Sequence, residues 1–346
     1  MSLLVSGIAR SCLLLLVCAT IGCACSKPDK YGRKNMTTGC ADFGGGFKSE
    51  SGREALSVLC ELNKKYDEID NILWDNEGWV CGRLESYPDI CDADKIRFAE
   101  IKCAVGKLEL DSSIDRMILL TRDTKFEAVD ISSLIPICTH IGQILLLRMR
   151  IACLQGNVME AAKSTGRLFM FGKGLKNYGI YGYMYGEVLQ SRAICGVESA
   201  LPYFSPVARQ PLVDSVSEIE TLELRKKGFI TALGGYVDVM LKKIPPKVMS
   251  QCGICGRLFN IYASEEDVRN YLHNKILILE VSLMNENSFS AGTFKKLRQS
   301  SFTMRELSNW FNHCTVDQVS IDGLYRDFWT RQADIDLFVE KHCRQL

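Results

Sequence analysis

Proline and histidine are scarce in this chain of 346 residues, with eight of the first and four of the second. Few prolines leave room for long helices, because an interior proline removes a backbone hydrogen bond and clashes with the preceding turn. Four isolated histidines are poor material for a zinc hydrolase or a Ser-His-Asp relay. Charge of one sign is lacking too: 42 Lys plus Arg oppose 41 Asp plus Glu, for a formal net charge of +1. That is not the basic excess on which nucleic-acid binding depends, so no nucleic-acid partner is expected. The chain also lacks a GxSxG elbow, a GxxxxGK[ST] phosphate loop, a GxGxxG turn and an HExxH helix. No catalytic residue or cofactor is therefore legible, and the reading leans away from an enzyme. Apolar material is plentiful, at 47% hydrophobic against 24% charged, which supplies a core and excludes disorder over most of the length.

The first 22 residues have the layout of an export signal. One cation, Arg10, precedes the apolar run Cys12-Leu13-Leu14-Leu15-Leu16-Val17-Cys18-Ala19, and small residues lead to a cysteine. This run falls short of the ~20 residues a helix needs to span a bilayer, which favours removal over a permanent span. The junction Thr20-Ile21-Gly22-Cys23 resembles the lipobox of bacterial lipoproteins, with Thr20 departing from its pattern. The resemblance implies that Cys23 is acylated and becomes the new amino terminus, with Cys25, after Ala24, as the alternative. It also implies an outer-membrane lipoprotein facing the periplasm, since no Asp follows the cysteine. The competing expectation is an ordinary signal peptide cut near Gly22 or Ala24, releasing a soluble periplasmic or secreted chain. Residues 23–50, with Lys27, Lys30, Arg33, Lys34 and Gly44-Gly45-Gly46, read as a lipid-attachment cysteine and a flexible tether.

Sixteen cysteines are many for this length, and setting aside Cys12, Cys18 and an acylated Cys23 leaves thirteen, an odd number. Cys60, Cys103, Cys153 and Cys195 sit where a helix wants a small apolar residue and read as core fillers. Cys81 and Cys91 flank a loop-like stretch with Gly82 and Pro88 and are the candidate disulfide. Cys252-Gly253-Ile254-Cys255 is half a zinc site or a dithiol turn. No standard second pair of ligands accompanies it, so a structural turn is the expectation and no metal is assigned.

Helical periodicity runs through the rest. Apolar residues recur at spacings of three and four from Glu54 to Leu73, and further helices are expected over Asp92–Leu108 and Ile114–Leu120. A helix capped by Ser132 or Ser133, with Pro136 in its first turn, runs to Leu154. After Gly156-Asn157 the next begins at Val158, making an αα-hairpin over residues 132–173. His140 lies on this apolar helix and reads as a core histidine. Gly172-Lys173-Gly174 reads as a helix stop. From Tyr178 to Leu201, Gly179, Gly182 and Gly186 form one line, suited to close approach of another backbone. Tyr178, Tyr181 and Tyr185 form the adjoining line, either core or a stacking platform for a ligand. Val213–Lys243 reads as one helix, with Glu218 and Glu220 on a solvated face. Ser264 with Asp267 opens another over 265–284, and Met304–Phe311 and Asp322–Cys343 follow.

The turn Gln155-Gly156-Asn157-Val158-Met159-Glu160-Ala161 resembles the inter-helix turn of tetratricopeptide repeats, although no second copy appears at a 34-residue period. The order of elements over roughly residues 50–245 resembles an uncharacterised family of exported helical proteins from planctomycete-type bacteria, for which no catalytic residues carry over. The expected fold is all-α, an irregular array of helical hairpins that is tetratricopeptide-like in part. It divides into a signal segment (1–22), an anchor and tether (23–50), a hairpin domain (51–246) and a C-terminal helical region (247–346). Two functions compete. One is a lipid-anchored envelope scaffold that binds membrane lipid through its acyl chains and an envelope protein through its surface. The other is a periplasmic enzyme or thiol-redox protein using Cys252 and Cys255.

Overall fold

The apolar stretch after Pro136 becomes an extensively buried helix, Ile135–Leu154. The computed structural model describes residues 47–74, 103, 111–122, 125–129, 131, 134–235, 265–298 and 321–342. All of these belong to one compact unit, Phe43–Leu346. Among the described residues there are ten α-helices and no strand: α1 Glu50–Trp74, α2 Asp111–Arg122, α3 Ile135–Leu154, α4 Val158–Leu175, α5 Gly179–Ala200, α6 Gln210–Asp214, α7 Leu222–Leu233, α8 Glu265–Asn285, α9 Ala291–Arg298 and α10 Ile321–His342. The fold is all-α, as the periodicity indicates.

The α3–α4 hairpin forms as its turn chemistry dictates. Gly156 takes φ +68°, the left-handed region that glycine enters without steric cost. There its N–H donates to the Cys153 carbonyl and that of Asn157 to Ala152, closing the end of α3. Asn157 then caps α4, its side chain accepting from the Glu160 N–H at 3.1 Å. Ala161, fully buried, lets the helices close up. Among the described residues, α3 is the one helix long and apolar enough to cross a membrane, and 72% of that stretch is buried inside the body. That is the setting of a core helix. Its N-cap is Leu134, not a serine, and no side chain caps it. The buried Leu134 anchors the helix start by packing, and its N–H donates to Ile131.

Helices α4 and α5 cross at their glycines. A Cβ on Gly172 would stand 2.6 Å from the Gly186 carbonyl oxygen, and one on Gly186 would stand 2.3 Å from that of Gly172. The expected close approach is therefore real. It also gives Gly172 a packing role, since α4 continues past it to Leu175. The turn between the two helices is held by residues 125–129. The Glu127 N–H donates to the Asn177 carbonyl at 2.7 Å, and the Glu127 carboxylate accepts from the Lys48 N–H at 2.9 Å and the Ser49 N–H at 3.3 Å. One carboxylate thus closes the amino end of α1, where the helix dipole favours a negative charge, and ties it to the α4–α5 turn.

Over its described residues, 213–235, the single helix expected over Val213–Lys243 is interrupted, and 236–243 lie outside the described residues. α6 ends at Asp214, residues 217–221 are not helical, and α7 begins at Leu222 with Thr221 as its cap, the hydroxyl accepting from the Leu224 N–H. The Ser215 hydroxyl, which donates to the Leu212 carbonyl at 2.6 Å, and the Thr221 hydroxyl favour local bonds over helix continuation. Farther along the chain, α10 packs on α5, and α8 and α9 pack on α10. An aromatic cluster joins α7 to α10, with Phe229 and Phe328 ring centres 5.2 Å apart and Phe328 and Trp329 also at 5.2 Å.

Candidate functional site

The polar centre of the body is built around Glu187 on α5. Sequence spacing puts Glu187 one residue past the glycine crossing, and so against the end of α4, where Lys176 follows the last helical turn. Glu187 and Arg225 are 2% and 1% exposed. The Glu187 carboxylate pairs with the Lys176 ammonium through one oxygen and with the Arg225 guanidinium through the other. Lys176 also reaches the Glu220 carboxylate at 2.7 Å. Arg225, on α7, donates to the Gln332 side-chain oxygen on α10. Tyr183, on α5, donates to the Arg225 carbonyl at 2.7 Å. Aromatic faces complete the enclosure: Arg225 lies 5.3 Å from the centre of the Phe328 ring and Lys176 5.3 Å from that of Tyr183.

This geometry fixes the protonation states. Burial by itself would raise the Glu187 carboxyl, but Lys176 and Arg225 outweigh it and hold the group down to about 2. Burial, reinforced by the charge of Glu187, pushes the Tyr183 hydroxyl well above its usual range. The Arg331 guanidinium on α10 is pulled down by burial. Glu187 is consequently ionised at neutral pH with both oxygens occupied. It has no proton to give as an acid and no unengaged oxygen to act as a base. What the arrangement does is lock together the end of α4, the middle of α5, the start of α7 and α10.

A second network lies nearer the surface on α2, α3 and α4. Asp111 pairs with Arg148, with Lys163 at 3.1 Å and with Arg167 at 2.8 Å, while Arg167 also grips Asp115 at 2.5 Å. Burial works to raise the Asp111 carboxyl, but these cations hold it far below the carboxylate range. Among the described residues, no group of three or more His, Cys, Asp or Glu side chains is placed to hold a metal ion.

The residues singled out in the sequence fall as follows. Tyr178 and Tyr181 are buried, and Tyr185 is half-buried with its hydroxyl 2.5 Å from that of Thr139. Tyr178 and Tyr181 pack in the core, and Tyr178 stacks edge-on against Phe47. Cys153 is buried as expected, and burial pushes its thiol up to about 12. Cys138, also buried, is pushed up to about 12 for the same reason. Three cysteines correct the expectation of core fillers. Cys60 is disulfide-bonded, and Cys103 and Cys195 are exposed free thiols. A small apolar side chain at helical spacing suits a core, but periodicity does not reveal which cysteines meet another cysteine. His140 is half-buried. Glu220 joins the buried cluster, while Glu218 forms an exposed pair with Lys173 at 2.7 Å. Cys23, Cys25, Cys81, Cys91, Cys252 and Cys255 lie outside the described residues, as does the segment Met304–Phe311.

Sequence reasoning did not single out Arg225 and Lys226, which are buried on α7. Glu187, the one acid among the glycines and tyrosines of the first half of α5, was the available signal, since an acid buried on an apolar stretch requires a partner cation. No family model, curated protein or solved structure matches the chain.

Proposed function

We propose that the chain is an exported, lipid-anchored scaffold of the cell envelope, held to lipid at Cys23 and working through its helical surface. The observation that carries the scaffold reading is the occupation of Glu187 by Lys176 and Arg225, which commits the polar interior to holding helices together. Export and anchoring rest on the signal layout and the lipobox resemblance at Thr20-Ile21-Gly22-Cys23. The disulfide at Cys60 supports export, because disulfides persist in oxidising compartments. Two or three acyl chains, each buried methylene contributing ~0.8 kcal/mol, would hold the protein durably. An envelope protein is the expected partner, since packed helical hairpins offer broad surfaces to protein ligands.

The test is processing in globomycin-treated cells of a host that exports the chain. The unprocessed precursor accumulates, and in untreated cells the mature protein stays with membranes through a carbonate wash. Normal processing under globomycin together with release by carbonate would overturn the reading.

A further inference from the structure

Lys226 follows Arg225 on α7 and is only 3% exposed. Two groups reach its ammonium: the Glu223 carboxylate one turn earlier, at 3.0 Å, and the Asn287 side-chain carbonyl, at 3.2 Å. Glu223 is 78% exposed, so this ion pair returns little of what burying the ammonium costs. Asn287 stands in the turn between α8 and α9, and that turn is pinned on both sides. Glu286 accepts from the Thr293 hydroxyl at 2.6 Å and from the Tyr325 hydroxyl. The Ser290 N–H donates to the Tyr325 hydroxyl at 2.8 Å, and the Ser290 hydroxyl accepts from the Thr293 N–H at 3.2 Å. On α7, the neighbouring Arg225 is held by Glu187 and Gln332. An amine, an amide and a carboxylate are thus kept in contact by anchored elements.

We propose that this triad makes a cross-link: the Lys226 Nζ and the Asn287 Cγ become joined in an isopeptide bond, with Glu223 as the proton acceptor. A lysine amine is a nucleophile once it has given up a proton, and Glu223 is within hydrogen-bond reach of that proton. The freed amine attacks Asn287 Cγ, a new carbon–nitrogen bond forms, and the bond from Cγ to the original amide nitrogen breaks. Of the three ammonium protons, one stays on the new amide and two leave with the displaced nitrogen as ammonium. No electrons change hands, so the step needs no oxidant. Glu223 and Asn287 are both exposed, which gives the proton and the ammonium a way out to water. Holding the two groups in contact replaces a chance encounter and raises their effective concentration far above that of free side chains. The product is neutral, which removes the buried charge, and it ties α7 covalently to the turn after α8.

The test is peptide mapping of the full chain, incubated at neutral pH and checked for folding by circular dichroism. Tryptic digestion and tandem mass spectrometry should find one branched peptide that joins the Lys226 and Asn287 segments. It is lighter than the two together by one ammonia, and it is absent from Asn287→Ala. Folded protein that yields the two segments only as separate peptides, with Asn287 as its amide or as aspartate, overturns the proposal and leaves Lys226 in a plain ion pair. Glu223→Gln changes an exposed position and should keep the fold while slowing the build-up of the branched peptide by about a hundredfold. Build-up at the native rate in that variant would overturn the role of Glu223. Neither result depends on the anchor at Cys23.

Discussion

Glu187 shows how much a single residue holds together. Glu187→Gln removes the charge that neutralises Arg225 and one of the two carboxylates that hold Lys176, leaving the buried Arg225 without its counterion and Lys176 with Glu220 alone. We expect a loss of about 3–5 kcal/mol in urea unfolding. The pH dependence has a definite sign. The folded carboxyl is held at about 2 against an ordinary 4.5, so this stabilisation is complete above pH 4.5 and is lost as pH falls towards 2. Acid titration of stability should be shallower in Glu187→Gln than in the native chain over that window. The glycine crossing makes a second demand at this scale. Gly186→Ala puts a methyl group 2.3 Å from the Gly172 carbonyl oxygen, and a loss of about 3 kcal/mol in urea unfolding is expected. The glycine line was legible because glycines at helical spacing have few other uses. The partners of Glu187 were not, because they come from other elements: Arg225 lies on α7, and Lys176 just past the end of α4.

At the scale of elements, turns were read more surely than long helices. The α3–α4 hairpin is fixed by Gly156 and Asn157, whose conformation and hydrogen bonds are local. Asn157→Ala should therefore cost about 1 kcal/mol in urea unfolding, and Asn157→Asp, which restores the acceptor, should recover most of it. The break between α6 and α7 escaped notice because hydrophobic periodicity continues across it while the Ser215 and Thr221 hydroxyls change the backbone's partners. Lys173 and Lys176, at the end of α4, meet Glu218 and Glu220 of the intervening segment, so this piece is held by charge. The start of α3 was misassigned to a serine for the opposite reason: burial of Leu134 does what a cap would have done. Glu127 in turn closes α1 from a distance. Glu127→Ala is expected to fray the first turn of α1, read as faster amide exchange at Lys48 and Ser49, whose N–H groups it binds.

For the molecule as a whole, composition was enough for the fold class, since scarce proline and continuous 3.6-residue periodicity leave few alternatives to an all-α body. The cysteines resisted such reading. Cys153 fills the core, Cys60 forms a disulfide, and Cys103 and Cys195 face solvent, although all four stand at similar positions in apolar helical patterns. What separates them is tertiary position, which periodicity does not encode. The proposed scaffold depends on one covalent fact at the amino terminus, and the intact mass of the native protein extracted from membranes in detergent reads it directly. The account predicts a chain beginning at Cys23, heavier than its sequence by the mass of its acyl chains and lighter by two hydrogens for each disulfide, that of Cys60 included. An unmodified chain beginning at Cys23 or Cys25, or one retaining Met1, would contradict it.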